Sequence, residues 1–131
     1  PEANVLMPKL NGDLYSILKS CTDGTLNPNM VKFSDRAVSS IVLASGGYPA
    51  ASRNGNIIYG LDKIKKNDKD IVLFHGGTRK QGTNTVTSGG RVMGVTVKAD
   101  CVSEAAQLAY ALIGDQGIHF DGMQVSPSIG Q

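Results

Sequence analysis

The chain has 131 residues, 40% hydrophobic and 18% charged, with a net charge of +2. That length supports one modest domain with its own core, and the even mixing of 13 basic with 11 acidic residues excludes the footprint of a nucleic-acid binder. No apolar run approaches the roughly 20 residues of a membrane helix, no signal-peptide pattern opens the chain, and Cys21 and Cys101, far apart and without spaced His partners, make neither a disulfide framework nor a zinc site.

The two cysteines are therefore expected as reduced, half-buried thiols of a cytoplasmic protein, and the start at Pro1 rather than Met predicts a piece of a longer chain. With no Trp, three Phe and four Tyr, the core must come from Val, Ile, Leu, Met and Ala, and sixteen Gly predict many tight turns. Val5, Leu6 and Leu10 recur at helical spacing, as do Leu14, Ile17, Leu18 and Cys21. Asn11-Gly12-Asp13 breaks the two helices and supplies an N-cap, and Asp23-Gly24 closes the second with a left-handed glycine. Leu26 to Asp35 reads as a connector.

Ala37 to Ala44 is β-branched and apolar, which predicts a buried strand, and Ser45-Gly46-Gly47-Tyr48-Pro49 turns it. Short strands are expected around Ile57-Ile58-Tyr59 and over Ile71 to Phe74. The basic run Lys63, Lys65, Lys66 and Lys69 is interrupted by Asp62 and Asp68, which predicts a solvated turn or helix end. Thr78 to Gly82 reads as a polar loop. Thr83 to Ser88 and Arg91 to Lys98 read as strands joined tightly at Gly89-Gly90. Ser103 caps a helix reaching Ile113, and Ile118-His119-Phe120 suggests a last short strand. The fold class is α+β: a small, mostly antiparallel sheet with one late helix, preceded by a helical segment.

Catalytic equipment is thin. Glu2 and Glu104 are the only glutamates, and no metal-ligand cluster, Cys–His pair or nucleophile elbow is present in sequence. His75 at a strand end reads as a hydrogen-bonded structural residue, and Asp121 as a solvated one. The informative stretch is Thr87-Ser88-Gly89-Gly90-Arg91. Two glycines let backbone N–H groups approach an anion without a Cβ in the way. The planar fork of Arg91 suits a phosphate monoester, and Ser88 adds a hydroxyl. The same residues also fit a plain type I′ hairpin with a solvated Arg91. Ser45-Gly46-Gly47 follows a strand but lacks the Lys-Ser/Thr ending of a P-loop, so it reads as a turn.

Taken in order, these segments resemble one family. Ala44-Ser45-Gly46-Gly47-Tyr48-Pro49 is similar to its "ASGGYP", and Ile58-Tyr59-Gly60-Leu61 to its "I-x-G-L". Phe74-His75-Gly76-Gly77-Thr78 is similar to "FHAGT", with Gly76 for Ala. Val86 to Thr96 resembles "VTSGGRVLGVT", and Phe120-Asp121-Gly122-Met123 resembles "FDGM". Pro1-Glu2 resembles the end of "RFGDPE", and Gly12-Asp13-Leu14 a later "SDL". The family is the glycinamide ribonucleotide synthetases (phosphoribosylamine–glycine ligases) of the ATP-grasp superfamily.

The resemblance implies a parent ligase in which ATP phosphorylates glycine and the amine of phosphoribosylamine attacks the acyl phosphate. It implies residues 1–30 as the helical end of the ATP-grasp domain plus linker, and 31–131 as the C-terminal domain. ATP and magnesium would bind upstream of this chain, which alone would be inactive and would contribute no catalytic or metal residue. The upstream ATP-grasp domains of the same protein would be its macromolecular partner, with no nucleic acid or membrane. Gly89, Gly90, Arg91, Ser88, Ser45, Gly46 and Gly47 are expected to border the ribose-phosphate cleft. After FDGM the family's "YRxDIG" is replaced by Val125 to Gly130, without its Tyr, Arg and Asp. That change keeps open a non-catalytic structural or interaction domain of a divergent or multifunctional purine-pathway protein. The order of "FHxGT" and "TSGGR" argues against other ATP-grasp relatives, such as a formate-using transformylase or a carboxylase subunit.

Overall fold

The structure is a computed structural model, described over residues 1–65 and 68–129. Lys66 of the basic run and Gly130 of the closing stretch lie outside the described residues.

Helix α1 (Ala3–Lys9) and helix α2 (Leu14–Asp23) open the chain. The Asp13 side chain accepts from the Tyr15 N–H at 3.2 Å, and Gly24 (φ 68°) ends α2 in the left-handed conformation. Strand β1 (Ala37–Ala44) follows, then β2 (Ile71–His75), β3 (Thr78–Gln81), β4 (Asn84–Thr87), β5 (Arg91–Ala99), helix α3 (Val102–Ala111) and β6 (Gln124–Val125). Among the described residues no helix is long and apolar enough to cross a membrane.

The strands form a four-stranded antiparallel sheet in the order β2-β5-β1-β6 and a separate β3-β4 ladder. Strand alternation gives the larger sheet two faces. Ile41, Val95 and Leu73 share a pairing row, as do Leu43 and Met93, and they join Ala109, Ile118 and Phe120 in the core beneath α3. On the opposite face α1 packs across β1 and β5. Seven of these residues belong to the aliphatic, aromatic-poor core the composition demanded.

Several expectations need correction. Thr78–Gln81 is a strand, not a loop, and the hairpin turn is Gly82-Thr83, joining β3 to β4. Gly89-Gly90 is therefore no hairpin: it carries the chain from the β3-β4 ladder into the larger sheet. Neither glycine has positive φ, which a type I′ turn requires. Ile57 and Tyr59 make single bridges, to Val86 and His119, and Ile118–Phe120 forms no strand. Helix α3 is preceded by Cys101, not Ser103, and gains no side-chain cap. Cys21 and Cys101 are both free and exposed rather than half-buried.

Candidate functional site

Arg91 owes its direction to a break in the ladder. Leu43 pairs with Met93, but Ala44 pairs with Arg91, so Val92 is an extra residue, a β-bulge. With unbroken alternation Arg91 would share the core face of Met93 and Val95. The bulge instead puts Val92 into the core, fully buried, and leaves Arg91 exposed on the other side.

There Arg91 lines a cleft of about 360 Å³ together with Pro1 and Asn4 from the start of the chain, Phe74, His75 and Gly76 from the end of β2, and Gly94 from β5. Arg91 also borders a second hollow of about 400 Å³ beside Tyr48 and Gln124. His75 Nδ1 lies 3.0 Å from Thr78 Oγ1, in keeping with its reading as a hydrogen-bonded residue, yet it also borders the cleft.

Of the expected site residues Arg91 alone lines this cleft; Ser45, Gly46, Gly47, Ser88, Gly89 and Gly90 lie outside its lining. Ser45 is fully buried and clamps the Gly-Gly segment: its Oγ donates to the Gly89 carbonyl at 2.5 Å and its N–H to the Gly90 carbonyl at 2.8 Å. Its hydroxyl is thus committed to the fold. A trans peptide sends its N–H opposite to its carbonyl, so the clamp turns the Gly90 N–H away from Ser45. Among the described residues, no acceptor meets the N–H of Gly46, Gly47, Gly89 or Gly90. Gly47 (φ 87°) forms the turn whose carbonyl accepts from Ala51. Ser88 is exposed, with its N–H on the Gly77 carbonyl at 2.7 Å.

Close approach explains the glycines where positive φ does not. A Cβ on Gly77 would meet Gly89 Cα at 2.7 Å, and one on Gly90 would meet Tyr48 Cδ2 at 2.5 Å. Gly77 and Gly89 approach backbone to backbone, while Gly90 lies against the Tyr48 ring. Sequence reasoning missed Asn4, and the cleft position of His75, because tertiary packing alone brings them to the cleft that Arg91 lines.

Residues 38–131 match the family model for the phosphoribosylglycinamide synthetase C domain. The chain is 39% identical over 132 residues to the bifunctional purine biosynthetic protein purD of Dictyostelium discoideum, covering 100% of this chain and 16% of that protein. It is 37% identical over 131 residues to the phosphoribosylamine–glycine ligase of Yersinia pestis, covering 99% of this chain and 30% of that protein. The chain thus spans less than a third of the length of these relatives. The crystal structure of the phosphoribosylamine–glycine ligase of Thermotoga maritima superposes with a TM-score of 0.76 at 25% identity, over 95% of this chain and 29% of that one. With the order of its glycine-rich motifs, its antiparallel sheet and a family match over most of its length, the chain belongs to the phosphoribosylglycinamide synthetase C-domain family.

Proposed function

We propose that this chain is the C-terminal part of a phosphoribosylamine–glycine ligase of purine synthesis and that it completes the cleft for the ribose-phosphate substrate. The observation that carries this reading is the bulge that turns Arg91 out of the core and into a cleft floored by Gly76 and Gly94. A guanidinium on such a glycine-lined floor suits a phosphate dianion. The unpaired N–H groups of Gly46, Gly47, Gly89 and Gly90, with the Ser88 hydroxyl, are assigned to its surroundings, and Ser45 to holding them in place. The role is positioning: a phosphate held at Arg91 fixes where the substrate amine can lie.

The reading carries with it residues 1–30 as the end of an ATP-grasp domain, 31–131 as the C-terminal domain, and a cytoplasmic setting. ATP and magnesium belong, in this reading, to the preceding part of the ligase. Among the described residues no three His, Cys, Asp or Glu side chains gather where they could hold a metal ion.

The test is Arg91→Ala in the complete ligase. Hydrogen bonds to a charged group contribute about 1.5–3 kcal/mol, so KM for phosphoribosylamine should rise about 10- to 100-fold with KM for ATP nearly unchanged. An unchanged KM for phosphoribosylamine would remove the phosphate assignment. The replaced closing stretch from Val125 favours one second reading, a non-catalytic interaction domain. Complementation of a purine auxotroph by the complete protein separates the two.

A further inference from the structure

Beside Arg91, the cleft contains a second polar side chain without a hydrogen-bond partner among the described residues. Asn4 sits in the first turn of α1 and is half-buried, and its carboxamide makes no hydrogen bond with any described residue. Its position is specific. The space that a Cβ at Gly94 would take is held by Asn4 Nδ2, with Asn4 Cγ at 3.5 Å and Ser40 Oγ at 3.3 Å. Gly94 thus leaves the room in which the amide lies, directly on the cleft floor. Ser40 is already the acceptor of Thr96 Oγ1 at 2.7 Å.

The Asn4 carboxamide is open to solvent in the cleft, where it offers both a donor and an acceptor. Arg91 and Asn4 line the same cleft of about 360 Å³ from different elements, β5 and α1. Arg91 supplies charge. Asn4 supplies a neutral group that both donates and accepts, the chemistry that recognises a sugar hydroxyl, itself donor and acceptor.

We propose that Asn4 is a positioning residue that hydrogen-bonds the ribose hydroxyls of the sugar phosphate whose phosphate Arg91 holds. This rests on the phosphate reading of Arg91 given above. It makes the cleft a two-point site. Arg91 takes the phosphate and Asn4 fixes the rotation of the ring about it, and with that the direction of the anomeric amine.

The experiment measures binding of three probes to the complete protein by calorimetry: ribose 5-phosphate, 2-deoxyribose 5-phosphate and inorganic phosphate. The variants are Arg91→Ala, Asn4→Ala and Asn4→Leu. Leu keeps the bulk over Gly94 and removes the hydrogen bonds, so it separates lost chemistry from a displaced helix. One or two neutral hydrogen bonds correspond to about a 3- to 30-fold change in affinity. Asn4→Leu should weaken ribose 5-phosphate by that factor and leave inorganic phosphate unchanged. It should also narrow the gap between ribose and deoxyribose phosphates. Arg91→Ala should weaken all three probes. If Asn4→Leu and Asn4→Ala weaken phosphate as much as ribose 5-phosphate, Asn4 merely supports the wall and the proposal is overturned. It is equally overturned if neither variant weakens ribose 5-phosphate while Arg91→Ala does. Loss of effect for Arg91→Ala on every probe would instead remove the underlying phosphate reading.

Discussion

Gly77→Ala tests the idea that the Gly-Gly crossing sets the position of Arg91. The new Cβ would lie 2.7 Å from Gly89 Cα, 2.9 Å from Gly89 N and 3.1 Å from the Arg91 carbonyl oxygen. All three are backbone atoms, so no rotamer change relieves them. Ordinary contact at about 3.4 Å or more requires the two segments to part by roughly 0.7 Å. Two hydrogen bonds span this gap, Ser88 N–H to the Gly77 carbonyl at 2.7 Å and Gly77 N–H to the Arg91 carbonyl at 2.8 Å. A shift of that size carries both to the edge of hydrogen-bonding distance. Overpacking costs about 1–3 kcal/mol and weakening two bonds about 1 kcal/mol more, so unfolding should be easier by about 2–4 kcal/mol. In a chain of this size that corresponds to a fall in Tm of roughly 10 °C. The assay is thermal and urea unfolding followed by circular dichroism, with Gly55→Ala beside it. Gly55 has no neighbour within 4 Å but a φ of 88°, so its substitution reports backbone strain without any clash. The reasoning fails if Gly77→Ala unfolds within about a degree of the wild type, or loses no more than Gly55→Ala.

Two other outcomes follow from the same structure. Ser45→Ala removes the donor to the Gly89 carbonyl from a site with no exposed surface, and should destabilise by about 1–3 kcal/mol; an unchanged urea midpoint would show that the clamp is dispensable. The Asp13 carboxyl is held below its ordinary 3.8, first by the Ser16 hydroxyl and then by the N–H groups of Tyr15 and Ser16. A depressed carboxyl contributes stability above its unfolded value and loses it as pH falls through the lower folded one, so α2 should loosen below pH ~4. Asp13→Asn keeps a capping oxygen without the titration, so its Tm should depend less on pH across that range; parallel Tm profiles for the two proteins would contradict the assignment.

What the sequence made legible was what local chemistry decides. Helix α2 announces both ends, through Asp13 and Gly24, and the apolar run Ala37–Ala44 coincides with β1. Strand β3 was hidden because Thr78, Arg79, Lys80 and Gln81 are polar and mostly exposed. Its place comes from backbone pairing with β4 alone, which leaves no hydrophobic period to read. Gly89-Gly90 misled for a different reason. Glycine serves both positive φ and close approach, and only the crossing with Gly77 decides between them. Arg91 was visible as a candidate, but not the bulge at Val92 that gives it direction, because a bulge leaves no period of its own. Asn4 lies about ninety residues from Gly94 in sequence, and nothing local to either one joins them.

The placement of α1 bears on where this domain can be cut. The family match begins at residue 38, and everything beneath α3 lies after that point. A truncation starting there would keep the packed interior and remove Asn4 and its neighbours from the opposite face. Ser40 and Gly94 would then open to solvent, and Arg91 would stand on an open ledge. Such a shortened protein could fold well and still have lost one side of its pocket, so the segment that ensures stability is smaller than the segment that shapes the binding surface.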